Sequence, residues 1–304
     1  MKIFKIVEKR NLWFSISIIT ILMGVGLMFS RSMKAEPILN YGIDFLGGTS
    51  MLLKFDDALL RPTQTEESGI QLIEKIRSVL HSFELEKSSI QITQDKEVFI
   101  KTLQLKSEKS QEILGQLNRV VGPLEILEID YIGPTIGKEL KEKSLLIILF
   151  IVVFLLAYIS IRFQWGYGYA AIIALIHDAL ITLSFAAILQ IEINTAFVAS
   201  LLTVLGYSIN DTIVIFDRIR ENQKNLIQET LSPKHIVNMS LSQTMIRTLN
   251  TSLTTIIVIS SLIFFGGTTI KAFCLVLLIG ILSGTYSSLF IASPIVAATV
   301  KRNV

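Results

Sequence analysis

The residues of this 304-residue chain that could do chemistry sit where charge is expensive. Asp178, Asp211 and Arg247 lie within or at the edge of long apolar runs. In a hydrocarbon-spanning segment, ionisable side chains are costly and mark function. Ser200, Thr203, Tyr207, Asn210 and Asp211 recur at helical spacing on one broad face, and Arg247, Thr251, Thr254 and Thr255 form a similar stripe. Facing one another, the two stripes would make a hydrated seam. Asp211 and Arg247 fall toward the same ends of antiparallel neighbours, so the expected geometry is an ion pair. Burial favours a neutral carboxyl and a guanidinium favours a charged one, so small helix movements could switch such a group, which suits proton handling. Moving one charge through a membrane potential supplies about 2.3 kcal/mol per 100 mV. The plainer alternative is a bridge that only locks two helices. His177 and Asp178 form a second polar pair in mid-segment, where hydrogen bonding across helices is the first expectation.

Other chemistries find no support in the sequence. Two intramembrane aspartates resemble those of aspartyl intramembrane proteases, but the expected G-x-G-D context is replaced here by Ser208-Ile209-Asn210-Asp211. No G-x-S-x-G, H-E-x-x-H or phosphate-binding loop occurs. The three histidines, His81, His177 and His235, form no H-x-x-x-H pair, and Cys274 is alone, so no intramolecular disulfide is possible. The reading is of no enzyme, no metal site and no cofactor. A net charge of +3 gives no reason to expect nucleic acid.

The elements that must position these residues are membrane helices. The chain is 51% hydrophobic and 17% charged, with mean hydropathy +0.59, whereas soluble chains carry about 25% charge. Uncharged stretches cover 11–30, 144–161, 193–210, 248–270 and 272–300, each near the ~20 residues that cross a ~30 Å hydrocarbon core. A soluble cytoplasmic enzyme is excluded. The expected plan has six transmembrane helices at 11–30, 144–161, 168–189, 194–216, 247–266 and 271–293. A polar loop is expected at 217–246, with its later part (HIVNMSLSQTMI) at the membrane interface. Residues 1–10 carry four cations ahead of the first run, which reads as an uncleaved signal anchor rather than a cleaved leader.

Residues 31–140 are different in character. A β-rich run at 49–56 precedes a helix at 66–83 with Ile70, Ile73, Ile76, Val79, Leu80 and Phe83 on one stripe. Strands follow at 88–94 and 97–105 around a turn at Asp95-Lys96, then a helix at 108–121 and a strand at 124–132. The order β-α-β-β-α-β is the ferredoxin-like signature. The fold class is thus an α-helical polytopic membrane protein with an α+β extracytoplasmic domain between its first two spans.

Orientation follows from the loops and tails. With a cytoplasmic N-terminus, the inside segments hold Lys2, Lys5, Lys9, Arg10, Arg162, Arg218, Arg220, Lys224, Lys234, Lys301 and Arg302, and the short outside loops hold Lys271. The positive-inside rule then places both termini, including 294–304, in the cytoplasm. Gly280 and Gly284 stand at GxxxG spacing, expected to serve internal packing. Gly47-Gly48 and Gly266-Gly267 lie in short connections, as turns or as hinges.

Several blocks together resemble the SecF members of the SecD/SecF family of protein-export membrane subunits. They are GIDFLGGT at 42–49, GPTIGKEL at 133–140, the His177-Asp178 pair, GYSINDTIVIFDRIREN at 206–222, RTLNTSLTT at 247–255 and GGTTIKAF at 266–273. The resemblance implies one half of a resistance-nodulation-division (RND) type transporter in the bacterial inner membrane, with SecD as the other half. It further implies association with the SecYEG channel and use of the proton-motive force on an unfolded preprotein after SecA has acted. By motif position, Asp211 and Arg247 match the family's proton-relay residues, and with them Asn210, Thr251 and Thr255 would line the route. The other readings are a small-molecule or lipid exporter half, and a scaffold of the channel complex without proton flux.

Overall fold

The computed structural model describes residues 3–55, 65–85, 88–92, 97–225 and 231–299, and the backbone only at 65–69, 268 and 269. A 3-10 turn (Val7–Lys9) leads into α1 (Arg10–Met33), followed by α2 (Ile43–Leu46), β1 (Gly48–Phe55), α3 (Thr65–His81), β2 (Ser89–Ile92) and β3 (Glu97–Thr102). Then come α4 (Ser107–Val120), β4 (Leu124–Ile132), α5 (Pro134–Arg162), α6 (Trp165–Leu189), α7 (Thr195–Asn225), α8 (Pro233–Phe265) and α9 (Thr268–Ser287). A π-helical turn (Ser288–Ala292) and α10 (Ser293–Thr299) complete the described chain. Contacts divide it into two units, Met1–Asn40 with Leu145–Val304, and Tyr41–Ser144.

The smaller unit is a four-stranded sheet of order β2-β3-β1-β4, antiparallel throughout. That is the ferredoxin-like topology expected from the sequence. Met51, Leu53 and Phe55 of β1 and Val98 and Ile100 of β3 face α3 and α4, completing one core. The α3 stripe is rotated from the expected one. Leu72, Ile76, Val79 and Leu80 are buried, whereas Ile70 is exposed and Ile73 only half-buried. The i+4 step from Leu72 to Ile76 and its i+7 and i+8 successors follow the 3.6 period better than a start at Ile70. The Asp95-Lys96 turn lies outside the described residues.

The larger unit holds the membrane helices, except for the start of α5, up to Ser144, which belongs to the smaller one. Six helices are long and apolar enough to cross a bilayer, at Val7–Met33, Pro134–Arg162, Trp165–Leu189, Thr195–Asn225, Pro233–Phe265 and Ile270–Thr299. Of these, α6, α7 and α9 form the buried centre, and α1, α5 and α8 present most of their surface outward. The helices overrun their apolar stretches. Where the sequence suggests a polar loop at 217–246, α7 runs on to Asn225 and α8 begins at Pro233. Residues 235–246 are the first turns of α8, with Ile236, Val237, Asn238, Ser240, Leu241 and Thr244 buried in the bundle rather than spread on an interface. Inward polar groups explain this: Asn222 Nδ2 donates to Ser240 Oγ (2.8 Å) and Gln243 Oε1 (2.8 Å), pairing the two polar faces. Helix ends in polar sequence are held by such pairs, which a hydropathy profile does not see.

Residues 31–40, expected in the smaller unit, belong with the helices. Arg31 Nη1 donates to Ala187 O (2.8 Å), and Asn40 accepts from Ile193 N (2.7 Å) while its Nδ2 donates to Gln190 O (3.0 Å). The N-terminal strap is fastened too. Asn238 Oδ1 accepts from Ile6 N and Val7 N (both 3.1 Å), its Nδ2 donates to both oxygens of Glu8, and Phe4 N donates to Ser242 Oγ (2.9 Å). At the other end, the residues expected as a tail from 294 onward continue the bundle, with Pro294 and Val296 buried.

Candidate functional site

Two polar centres lie inside the helical unit. The first is built on α6. Asp178 is fully buried and accepts from Ser208 Oγ of α7, from Ser283 Oγ (2.8 Å) and Ser287 Oγ (2.7 Å) of α9, and from the ring of His177 (Nδ1, 3.0 Å). His177 Nε2 meets Ser17 Oγ of α1 at 2.9 Å. One carboxylate thereby gathers four helices, and each of its oxygens has two partners. A carboxylate in hydrocarbon needs this degree of compensation, because an unpaired one is prohibitive there. The serines recur along α9 at i and i+4, on the side facing α6 and α7.

The second centre is on α7, one turn past Ser208. Asp211 is 3% exposed, and Ser252 Oγ of α8 donates to its Oδ2 at 3.4 Å. Ser252 Oγ also lies 2.6 Å from Thr285 Oγ1 of α9, so three helices converge on it. Between the two centres, Thr212 Oγ1 and Ser288 Oγ meet at 2.8 Å, and Ser288 Oγ reaches the backbone oxygen of Ser208 (3.4 Å). One turn before Ser252, Thr248 is buried with its hydroxyl bonded to no other protein group among the described residues. Water in the seam would satisfy it.

The expected Asp211–Arg247 ion pair is not made: among the described residues no salt bridge joins them. Arg247 is exposed on the outer side of α8. The expected α7 face divides in two. Ser200 and Asp211 turn inward with Ser208 and Thr212, and Thr203 and Asn210 turn outward. On α8, Thr251 Oγ1 bonds back to Arg247 O (2.9 Å), and Thr255 Oγ1 meets Tyr207 Oη at 3.2 Å. A second polar strip, Thr203, Asn210, Arg247 and Thr254, therefore lies on the outer surface of the unit. The sequence reading overlooked Ser17, Ser252, Ser283 and Thr285, because single hydroxyls in apolar helices carry no pattern until packing brings them to one carboxylate.

The chain is similar to known proteins in sequence and in fold. The family profile "Protein export membrane protein SecD/SecF, C-terminal" matches residues 113–302, and "SecD/SecF GG Motif" matches 39–58. The chain belongs to the SecD/SecF family. Among relatives, Protein translocase subunit SecF of Sebaldella termitidis is 35% identical over 96% of this chain and 90% of its own. That of Haemophilus influenzae is 40% identical over 83% and 74%. The crystal structure of SecDF, a translocon-associated membrane protein from Thermus thermophilus, superposes with TM-score 0.82 at 32% identity, over 98% of this chain and 38% of that longer one.

In this SecF-type chain the matched glycine motif has a defined geometry. Gly47 has φ +74°, and a Cβ there would stand 2.9 Å from Pro134 Cα. A Cβ on Gly48 (φ +148°) would stand 2.6 Å from Thr102 O. The pair is a tight turn packed on the start of α5 and the end of β3, a position for residues without side chains. Gly266 and Gly267 have ordinary extended backbone at the α8–α9 connection. Gly280 and Gly284 face Val204 and Ser208, so the GxxxG spacing serves contact between α9 and α7 within the chain.

Proposed function

We propose that this chain is the SecF half of a proton-driven unit that helps to complete protein export, with Asp211 as the group that takes up and releases the proton. The observation that carries the reading is the setting of Asp211. It is a nearly buried carboxylate in mid-helix with a single weak hydroxyl donor, in contrast to Asp178, whose oxygens are fully occupied. A carboxylate left half-compensated is the one poised to change charge. Arg247, near but not in contact, is the counter-charge toward which an ionised Asp211 is drawn, so protonation loosens α7 from α8. Asn210, Thr251 and Thr255 line the approach. Asp178 and His177 hold α1, α6, α7 and α9 together while α8 moves.

In this reading SecD supplies the complementary half against the outer polar strip of α7 and α8. The SecYEG channel delivers the preprotein after SecA has acted, and no further cofactor is needed. The protein resides in the inner membrane with both termini cytoplasmic, and the ferredoxin-like domain lies outside. The glycine connections at 47–48 and 266–267 pass helix movement to that domain. The test is completion of translocation in sealed inverted vesicles with SecA inhibited. A proton gradient should stimulate wild type and leave Asp211→Asn unstimulated at equal assembly. Equal stimulation of both would make Asp211 a structural group and refute the proposal.

A further inference from the structure

Between α1, α6 and α9 the surface of the helical unit carries a groove of about 290 Å³. Its floor is polar and its walls are hydrocarbon. Ser17, His177 and Ser283 form the floor, each more than nine-tenths buried, and they are already bonded to one another's centre: Ser17 to His177, and His177 and Ser283 to Asp178. The floor therefore has little bonding left to give a polar ligand. The walls are Ile16, Ile181 and Leu282 with Phe185, and Ile16 and Leu282 are 44% and 52% exposed at the rim.

The groove is cut into the interior of three membrane spans, where the surrounding medium is acyl chain. Its volume is at the lower end of ligand sites, which run from about 300 to 1,000 Å³. A helix about 10–12 Å across does not enter such a slot, but a length of unbranched hydrocarbon does. It also lies away from the outer polar strip. α1 packs chiefly on α6, whereas α8 packs on α7 and α9. A second membrane subunit is drawn to uncompensated polar groups, which are on the α7–α8 side.

We propose that the groove seats one acyl chain of a membrane phospholipid, which covers the Ser17–His177–Asp178 link and keeps water from it. The inference rests on the six spans and on the groove, not on proton coupling. The full chain in nanodiscs of phospholipid carrying a diazirine near the acyl terminus would be illuminated and its peptides mapped. Labelling at Ile16 and Leu282 is expected to exceed by several-fold that at Leu253, Ile257 and Val258, apolar residues of α8 that are at least as exposed. Thr20→Trp, which fills the slot, should abolish the excess, and Ile279→Phe should do so independently. Labelling of the groove no stronger than that of α8, or an excess that persists in both filled variants, would overturn the proposal.

Discussion

Replacing Asp178 by alanine tests whether one carboxylate holds the centre of the bundle. The side chain receives three hydroxyl bonds from other helices, Ser208 of α7 and Ser283 and Ser287 of α9, besides the His177 ring. Interhelical hydrogen bonds in membrane proteins average about 0.6 kcal/mol and reach about 1.7, because the separated helices also find partners. Three such bonds give about 2 kcal/mol at the average and about 5 at the ceiling. The lower figure is the better guide, since Ser287 Oγ keeps Gly284 O (3.1 Å) as a second partner and is not stranded. Asp178→Ala should thus cost about 2–3 kcal/mol. Asp178→Asn keeps the shape, and the serine hydroxyls can rotate to accept from the new amide, so its cost should be about 1 kcal/mol. Ser17→Ala, which touches the centre only through His177, should cost about 0.6 kcal/mol. Unfolding by SDS in mixed micelles, followed by the fluorescence of Trp13 against Phe290, ranks the three. An Asp178→Ala protein within about 0.5 kcal/mol of wild type would refute the idea that this carboxylate fastens α6 to α7 and α9.

Other substitutions probe close packing and the strap. A Cβ on Gly280 would overlap Val204, so Gly280→Leu should destabilise by about 1–3 kcal/mol or more in the same titration, and a neutral result would remove the α7–α9 contact from the account. Gly47→Ala meets both a φ of +74° and the Pro134 backbone. A cost of about 1–3 kcal/mol is expected, seen as faster tryptic cleavage of the smaller unit in the full chain; unchanged cleavage would show that the turn relaxes freely. Asn238→Ala strips the Ile6 and Val7 amides of their acceptor, at about 2 kcal/mol. Their hydrogen exchange should then rise about thirty-fold, and unaltered exchange would mean the strap is held by packing alone.

Much of this fold was legible because its signals are periodic. The ferredoxin-like order followed from alternation in β3, the apolar spacing of α4 and the break at Gly122-Pro123, and β4 begins and ends at the expected Leu124 and Ile132. The spans were legible as uncharged stretches. The helix ends were not, since Asn222, Ser240 and Gln243 belong inside only after α7 and α8 have paired. The same limit governed the site. Asp178 and Asp211 stood out as charges in apolar surroundings, but their different settings depend on lone serines from distant helices. Pairing Asp211 with Arg247 followed from matching depth along two helices. It did not allow for their rotation about their axes, and that rotation turns Arg247 outward and Ser252 inward.

The strap at the N-terminus bears on how the chain is made. Phe4 to Glu8 leave the ribosome well before their partners Asn238 and Ser242, which lie 230 to 238 residues further along the chain. At about 5–20 residues per second, the strap waits on the order of tens of seconds for its acceptor. Through that interval α1 is in the bilayer with its N-terminal end unattached, and α5, α6 and α7 can enter without threading past a closed segment. Docking of Asn238 is then a late event of assembly, closing a loop that takes in most of the protein.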